Sequence, residues 1–369
     1  MKPLLKVEDL RVWFPVRKGF FETLLGRMEY VRAVDGVSFT VGERETFCLV
    51  GESGCGKTTT ARAIMLLVDR SEFRSGRILL RPHEETLREI AKVQPEAVVE
   101  GEYVDMVRTR GYANKLVRRE VQMIFQDPFG SINPRMKVYD IVEEPLVVHG
   151  IGSREERFEI VARALEAVKL TPPEEFMDRY PHQLSGGQRQ RVSIARALVL
   201  NPRLLLADEP VSMLDVSIRA EILQILEELK KTRGMSVVFI THDIALARYI
   251  CDRIAVMYLG KIVELASSDE IIENPLHPYT RALISAVPDV VPENRLRLRN
   301  VPIKGEVPSA VRIPAGCRFR PRCVAYDENP WVREFCEREE PGLVEVSKDH
   351  YVACWIPVKR SSAGLQAPS

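Results

Sequence analysis

The sequence contains no uninterrupted apolar run near the roughly 20 residues that cross a bilayer as a helix. Its most apolar stretches, around 204–207 and 236–240, fall far short of that length. Neither sign of charge is in excess: 53 Lys plus Arg stand against 52 Asp plus Glu, a formal net charge of +1. Composition therefore gives no electrostatic reason to expect nucleic acid as the main partner. The opening segment MKPLLKVEDL lacks the apolar core of a secretory signal, because Glu8 and Asp9 interrupt it at once. A cytoplasmic chain is expected, with any membrane role arising through a partner. Internal repeats are missing, and so is the bias of a disordered chain. Hydrophobic residues make up 45% and charged residues 28%, a globular balance. At 369 residues the chain is long enough for one large domain plus an appendage, or for two modest domains.

Cysteine is sparse over the first 300 residues, where Cys48, Cys55 and Cys251 are scattered and read as small core or loop residues. It is concentrated in the last sixth of the chain, at Cys317, Cys323, Cys336 and Cys354. In a cytosolic protein such a cluster points first to metal or Fe–S binding rather than to disulfides. The spacing C-x5-C-x12-C-x17-C lacks the paired C-x2-C of zinc ribbons. Four thiolates suit either an Fe–S cluster or a tetrahedral zinc ion; both need ionised sulfur, which Arg318, Arg320 and Arg322 would favour. Unligated or disulfide-bonded cysteines are the remaining alternatives. His350 reads as a solvated loop residue rather than a ligand.

From residue 4 to about 272, short β-rich runs alternate with helical patterns, as in an α/β fold. Buried strands are expected at 46–50, 121–125, 204–207 and 236–240, and helices after Lys57, Ser185, Ser217 and Asp243. A last strand pair, 253–258 and 261–265, is joined through Leu259-Gly260, a hairpin signal. Residues 82–118 are polar and charged and read as an insertion at a sheet edge. Beyond Asn274, Pro275, Pro278, Pro288, Pro292, Pro302, Pro308, Pro314 and Pro321 recur too densely for regular helix or central strand. The expected division is 1–273 for the α/β domain, with a largely helical stretch near 127–200, and 274–369 for a Pro-rich linker and a small irregular Cys-rich segment.

The segment Gly51-Glu52-Ser53-Gly54-Cys55-Gly56-Lys57-Thr58 fits G-x-x-x-x-G-K-[ST] and sits after a strand and before a helix. Glycines there let backbone amides close around phosphates, and the helix N-terminus adds a favourable dipole. Lys57 would reach the β- and γ-phosphates of ATP, Thr58 would hold Mg²⁺, and Thr59 follows in the first helical turn. About 150 residues on, the apolar strand 204–207 ends in Asp208-Glu209-Pro210. Neighbouring residues at a strand end point in different directions. Asp208 can therefore serve Mg²⁺ while Glu209 faces an attacking water as general base. Between these motifs lies Leu184-Ser185-Gly186-Gly187-Gln188, where Ser185 is a good N-cap for a helix presenting free amides.

This LSGGQ just upstream of the Asp208 strand resembles the signature of ATP-binding-cassette proteins. The remaining motifs follow in family order. Gln126 in Phe-Gln-Asp-Pro resembles the Q-loop that touches Mg²⁺ and water. Asp215 in Met213-Leu214-Asp215 resembles the D-loop at the dimer interface, where a small residue is more usual at the Met213 position. His242 in Thr-His-Asp resembles the switch histidine at the γ-phosphate. Phe14 and Tyr30 both precede the phosphate loop as candidates to stack on adenine, with simple packing as the alternative. The resemblance implies an ABC-type nucleotide-binding domain, a P-loop core with a helical subdomain, acting as a head-to-tail pair. Each ATP then lies between one chain's phosphate loop and the other's Leu184–Gln188 segment.

The Cys-bearing tail, together with Asn274-Pro-Leu-His-Pro-Tyr279-Thr-Arg-Ala-Leu, resembles the C-terminal segment of oligopeptide/dipeptide importer ATPases. Val324 stands where that family often has proline. The resemblance implies a [4Fe-4S] cluster on the four cysteines, a second similar cassette, two transmembrane permease subunits, an extracytoplasmic solute-binding protein, and a place on the cytoplasmic face of the membrane. Two rival readings are a soluble cassette ATPase acting on nucleic acid or ribosomes, and a regulatory subunit that binds ATP without hydrolysing it. The neutral charge and single cassette disfavour the first. Intact Lys57, Asp208, Glu209 and His242 disfavour the second.

Overall fold

The computed structural model describes residues 2–16, 28–287 and 301–362. Pro288 and Pro292 lie outside the described residues. The main sheet is built on five parallel strands: β3 (Thr46–Val50), β7 (Val121–Ile124), β8 (Leu204–Asp208), β9 (Ser236–Thr241) and β10 (Arg253–Tyr258), in the order β10-β3-β9-β8-β7. β3, β8 and β9 are buried at every position. That is why they appear in the sequence as continuous apolar runs rather than alternating ones. β11 (Lys261–Ser267) folds back antiparallel on β10. The connecting residues Leu259 and Gly260 both have positive φ, 45° and 81°, the conformation of a type I′ hairpin turn. A Cβ on Gly260 would lie 2.8 Å from the Arg32 carbonyl oxygen, so only glycine fits.

A second, antiparallel sheet carries β1 (Leu5–Pro15), β2 (Tyr30–Val41), β4 (Phe73–Leu80), β5 (Val98–Val99) and β6 (Tyr103–Asp105) in the order β2-β1-β4-β6-β5. One hydrophobic core joins the two sheets, with Phe39 stacked on Phe47 at 4.8 Å. Residues 82–118 place β6 and β5 at the edge of this sheet, between helices Glu84–Val93 and Gly111–Glu120. A second core gathers the other face of the main sheet and helices Val138–His149, Arg154–Ala167 and Gly186–Leu198. Among the described residues no helix is long and apolar enough to cross a membrane.

The C-terminal region departs from expectation. Pro278 does not interrupt helix; it opens the helix Pro278–Ala286, at a position where the missing N–H has no intrahelical partner to lose. His277 caps that helix, its Nδ1 accepting from Tyr279 N at 3.0 Å. Nor is the tail an irregular appendage. Its β13 (His350–Val352) pairs antiparallel with β11, Glu264 opposite Val352, and β12 (Val344–Ser347) pairs with β13. The tail therefore adds two strands to the edge of the main sheet before continuing into helix Trp355–Ser362. His350 is buried rather than solvated, with Nε2 2.8 Å from Glu264 Oε1. Glu264 also accepts from Leu276 N at 2.7 Å and His277 N at 3.0 Å, so a fully buried carboxylate stitches together β11, the capping turn and the tail strand.

Arg318 makes a further join. Its guanidinium bonds Asp35 Oδ2 at 3.1 Å, both Glu340 oxygens and the Leu259 carbonyl. Cys48 and Cys251 are both core residues, as expected, and are in addition joined by a disulfide between β3 and the end of helix Ile244–Ile250, with Cα atoms 5.9 Å apart.

Candidate nucleotide site

The loop 51–56 leaves β3 and enters helix Lys57–Ile64. Its glycines are dictated by close approach: a Cβ on Gly51 would lie 2.2 Å from the Met257 carbonyl oxygen, and one on Gly56 equally near that of Ala33. Gly56 also needs φ 111°, a conformation side-chain-bearing residues avoid. Ser53 and Gly54 face outward, Cys55 is buried, and Thr59 is half-buried in the first turn. Lys57 is buried and folded onto the loop itself, donating to Gly51 O at 2.7 Å and Glu52 O at 3.0 Å.

Thr58 Oγ1 donates to Asp208 Oδ1 at 3.0 Å, so the loop and the end of β8 meet across 150 residues of sequence. Burial pushes the Asp208 carboxyl above its ordinary value, and the neighbouring Glu209 charge adds to this. A buried carboxylate so disfavoured is relieved by a cation. Glu209 itself has φ 46°, a left-handed backbone that costs about 1–2 kcal/mol for a residue with a Cβ. Its amide donates to Ile240 O at 2.9 Å, which anchors the turn on β9. On Glu209 Oε2 two groups converge: Gln126 Nε2 donates at 3.2 Å and His242 Nδ1 lies at 3.2 Å. The four motifs behind Thr58, Gln126, Asp208–Glu209 and His242 thus meet at the C-terminal ends of adjacent parallel strands, the usual ligand position of an open α/β sheet.

Ser185 caps helix Gly186–Leu198, its Oγ accepting from Gln188 N at 3.3 Å while Gln188 Oε1 accepts from Ser185 N at 3.0 Å. Gln188 closes a capping box, a local role that the sequence reading missed although S-x-x-Q is its signal. Leu184 is buried beneath this cap, Gly186 opens the helix, and a Cβ on Gly187 would approach Ile218 Cγ2 to 2.7 Å. Asp215 caps helix Val216–Arg233 by backbone geometry alone, flanked by Met213 and Val216, both strongly exposed. Phe14 is half-buried against the core between the sheets. Tyr30 lies 6.3 Å from Trp13 in ring centroids, with the Arg74 guanidinium 4.4 Å over its ring.

Comparison with known proteins bears on this arrangement. The family description "ABC transporter" matches residues 34–212, and "Oligopeptide/dipeptide transporter, C-terminal region" matches 263–328. The oligopeptide transport ATP-binding protein AppF of Bacillus subtilis (strain 168) is 41% identical, the alignment covering 96% of this chain and 97% of AppF. The chain belongs to the ABC transporter ATP-binding proteins of the oligopeptide/dipeptide family. The dipeptide transport ATP-binding protein DppF of Haemophilus influenzae is 38% identical over 96% of each chain. Among solved structures, the dimeric post-hydrolysis state of the cassette MJ0796 bound to ADP and Pi is 28% identical, with a TM-score of 0.55, covering 72% of this chain and 98% of that one. The cbiO1 structure from Clostridium perfringens is 26% identical, with a TM-score of 0.57, covering 74% and 92%. The protein is therefore an ABC-type ATPase.

In this ABC protein Cys317, Cys323, Cys336 and Cys354 line one small cavity with Phe319 and Val332. Cys317 N donates to Cys336 O at 2.8 Å, bringing two of the four segments side by side. Among the described residues no group of three or more His, Cys, Asp or Glu forms a site for a metal ion. Of the basic neighbours the sequence suggested, Arg318 and Arg322 are committed to carboxylates elsewhere, while Arg320 lines the cavity of the four cysteines. Burial pushes Cys323 up to about 11 and Cys354 higher still; the hydrogen bond between Cys317 and Cys336 lowers the first thiol and raises the second. Sequence reasoning also missed Tyr279 and Arg322 as neighbours of the phosphate loop. Tyr279 OH accepts from Glu52 N at 2.9 Å, and Arg322 donates to both Glu52 carboxylate oxygens. No spacing rule connects positions 227 and 270 residues apart.

Proposed function

We propose that this ABC ATPase drives an importer of oligopeptides, dipeptides or a related small solute. Convergence of Gln126 and His242 on Glu209, beside the Thr58–Asp208 contact, is the observation that carries hydrolysis. The family membership carries the transport reading. In this reading Gly51, Glu52, Ser53, Gly54, Cys55, Gly56, Lys57, Thr58 and Thr59 form the triphosphate cradle. Thr58, Asp208 and Gln126 serve Mg²⁺, which would screen the phosphate charge. Glu209 takes the proton of the attacking water, held by Gln126 and His242 in a turn whose backbone strain fixes the direction of the carboxylate. Lys57, folded onto loop carbonyls in the structure, turns to the phosphates when they arrive. Phe14 or Tyr30 covers the adenine.

The functional unit comprises two cassettes, each ATP completed in trans by Leu184, Ser185, Gly186, Gly187, Gln188 and Asp215 of the other. The pair engages two permease subunits at the cytoplasmic face of the membrane, served by an extracytoplasmic solute-binding protein. The exposed Met213 and Val216 beside Asp215 support an interface at that edge. Reconstitution with the permease pair tests the whole. Peptide-loaded binding protein should stimulate ATP hydrolysis and drive uptake; unstimulated turnover by a dilute monomer, or copurification with RNA in place of membrane protein, would overturn it.

A second reading concerns the tail. Four cysteines sharing one cavity support the proposal that Cys317, Cys323, Cys336 and Cys354 hold a [4Fe-4S] cluster, which would cross-link the tail rather than take part in hydrolysis. Anaerobically purified protein should be brown with about four irons per chain. Stoichiometric zinc in colourless protein would overturn the cluster in favour of a zinc site.

A further inference from the structure

We propose that Arg322 and Tyr279 are positioning residues for the nucleotide: they hold the phosphate loop through Glu52 and cancel that carboxylate's charge beside the triphosphate. This rests on reading 51–58 as the phosphate loop. It requires nothing of the transported solute or of a metal group in the tail.

Glu52 occupies a position where the loop pattern accepts any residue, and a carboxylate there is electrostatically unhelpful. It adds negative charge next to the place where phosphates bind. The fold answers with a fork. Arg322 Nη1 donates to Glu52 Oε2 at 2.8 Å and Nη2 to Oε1 at 3.1 Å. Such a two-pronged contact fixes direction as well as distance. The Arg322 side chain is 8% exposed and that of Glu52 31%, so water screens the pair only in part, from the carboxylate's side.

The main chain of the same residue is held as well. Glu52 N, one of the amides that line a phosphate loop, donates to Tyr279 OH at 2.9 Å. Glu52 O accepts from Lys57 at 3.0 Å. A single loop residue thus links the tail, through Arg322 and Tyr279, to the lysine that reaches the phosphates.

The platform behind these two side chains is stiff. Tyr279 lies 4.8 Å from Tyr258 and 5.5 Å from Phe319 in ring centroids, and Tyr258 meets Phe319 edge-on at 5.1 Å. The Arg322 guanidinium lies 5.8 Å from the Tyr258 centroid. Tyr258 belongs to β10, whose neighbouring Met257 carbonyl limits Gly51. A loop held in its binding shape before the ligand arrives loses less freedom on binding.

The test is the dissociation constant of Mg-ADP for the full-length chain, measured by titration calorimetry beside the thermal midpoint of each variant. Arg322→Ala should raise Kd about tenfold, equivalent to about 1.4 kcal/mol, because it frees the loop and leaves the Glu52 charge uncancelled. Adding Glu52→Gln to Arg322→Ala should bring Kd back to within about threefold of wild type, the coupling expected of a charge pair. A merely structural arginine would lower the midpoint without that rescue. Kd for Arg322→Ala within twofold of wild type, or no recovery in the double variant, would overturn the proposal. Should Arg322→Ala fail to fold, Tyr279→Phe carries the test, since it removes only the hydroxyl on Glu52 N. A raised Kd at an unchanged midpoint supports the clamp, and an unchanged Kd refutes it. Lys57→Ala separates the underlying reading: a wild-type Kd there would overturn the phosphate-loop assignment and the clamp with it.

Discussion

Replacing Arg318 with alanine should destabilise the whole protein rather than the tail alone. The side chain is 5% exposed and reaches Asp35 in β2, Glu340 in the tail and the Leu259 carbonyl at the hairpin turn. Asp35 is itself 7% exposed and accepts from Trp13 Nε1 at 3.1 Å. Truncation leaves a buried carboxylate and a buried carbonyl without their cation, a change that costs about 3–5 kcal/mol in comparable buried pairs. Unfolding entropy near 2.1 cal/mol/K per residue gives roughly 0.8 kcal/mol/K for a chain of 369 residues unfolding as one unit, so the thermal midpoint should fall by about 4–6 °C. Arg318→Lys should fall between, because a single ammonium cannot face both carboxylates and the carbonyl. Arg338→Ala is the control, since its partner Glu334 lies one helical turn away and both side chains are largely exposed. Scanning calorimetry of the three variants is the assay. An Arg318→Ala midpoint within 1 °C of wild type would show that the network does not join tail to sheet.

Further outcomes follow from other contacts. Glu209→Gln should keep ATP binding and lower hydrolysis by roughly 10²-fold or more, in line with removal of a general base; turnover near wild type in the reconstituted transporter would remove Glu209 from that role. Burial pushes His277 down to about 4 from an ordinary 6.5, and its Nδ1 must stay unprotonated to accept Tyr279 N–H. The unfolded chain takes up that proton below about pH 6.5 and the folded chain only below about pH 4, so stability should be full above 6.5, decline between those values, and level off below. The decline is about 3 kcal/mol at most, and His277→Asn, which keeps an acceptor for the cap, should flatten it. Identical pH profiles for the two proteins would place the titration elsewhere. Cys336→Ser should speed proteolysis of the tail while raising the nucleotide Kd no further than Arg322→Ala does; loss of nucleotide binding with an intact tail would contradict a structural role for the cysteines.

The parts of the fold that were legible in the sequence are those with local causes. β3, β8 and β9 showed themselves as apolar runs because both faces of a parallel sheet are covered, and Leu259-Gly260 marked a hairpin because two successive left-handed residues leave few choices. The nucleotide motifs were legible for a similar reason, since each ends a strand or opens a helix. What escaped was long-range. Arg322 meets Glu52 across 270 residues, Cys48 meets Cys251 across 203, and His350 meets Glu264 across 86. Nothing in the local pattern distinguishes His350 or Arg322 from solvated residues, because their burial is produced by the tail's return to the sheet. Pro278 misled for a different reason: proline breaks helices from within yet is favoured at their first position, and only the His277 cap decides which applies.

The pairing of β13 with β11 bears on how this chain is made and how it can be cut. Five of the seven residues of β11 are buried; without β13 the strand would present an unpaired edge able to recruit strands from other molecules. With the tail in place the outermost strand is β12, four residues long, carrying Glu345 and turning at once into Lys348-Asp349, a short and charged rim. During synthesis β11 must wait for more than 80 residues of further chain before its neighbour exists. A shortened chain ending after helix Pro278–Ala286 would retain every nucleotide motif and yet expose that edge permanently. Grafting the cassette onto a foreign C-terminus would therefore require the graft to bring a capping strand of its own.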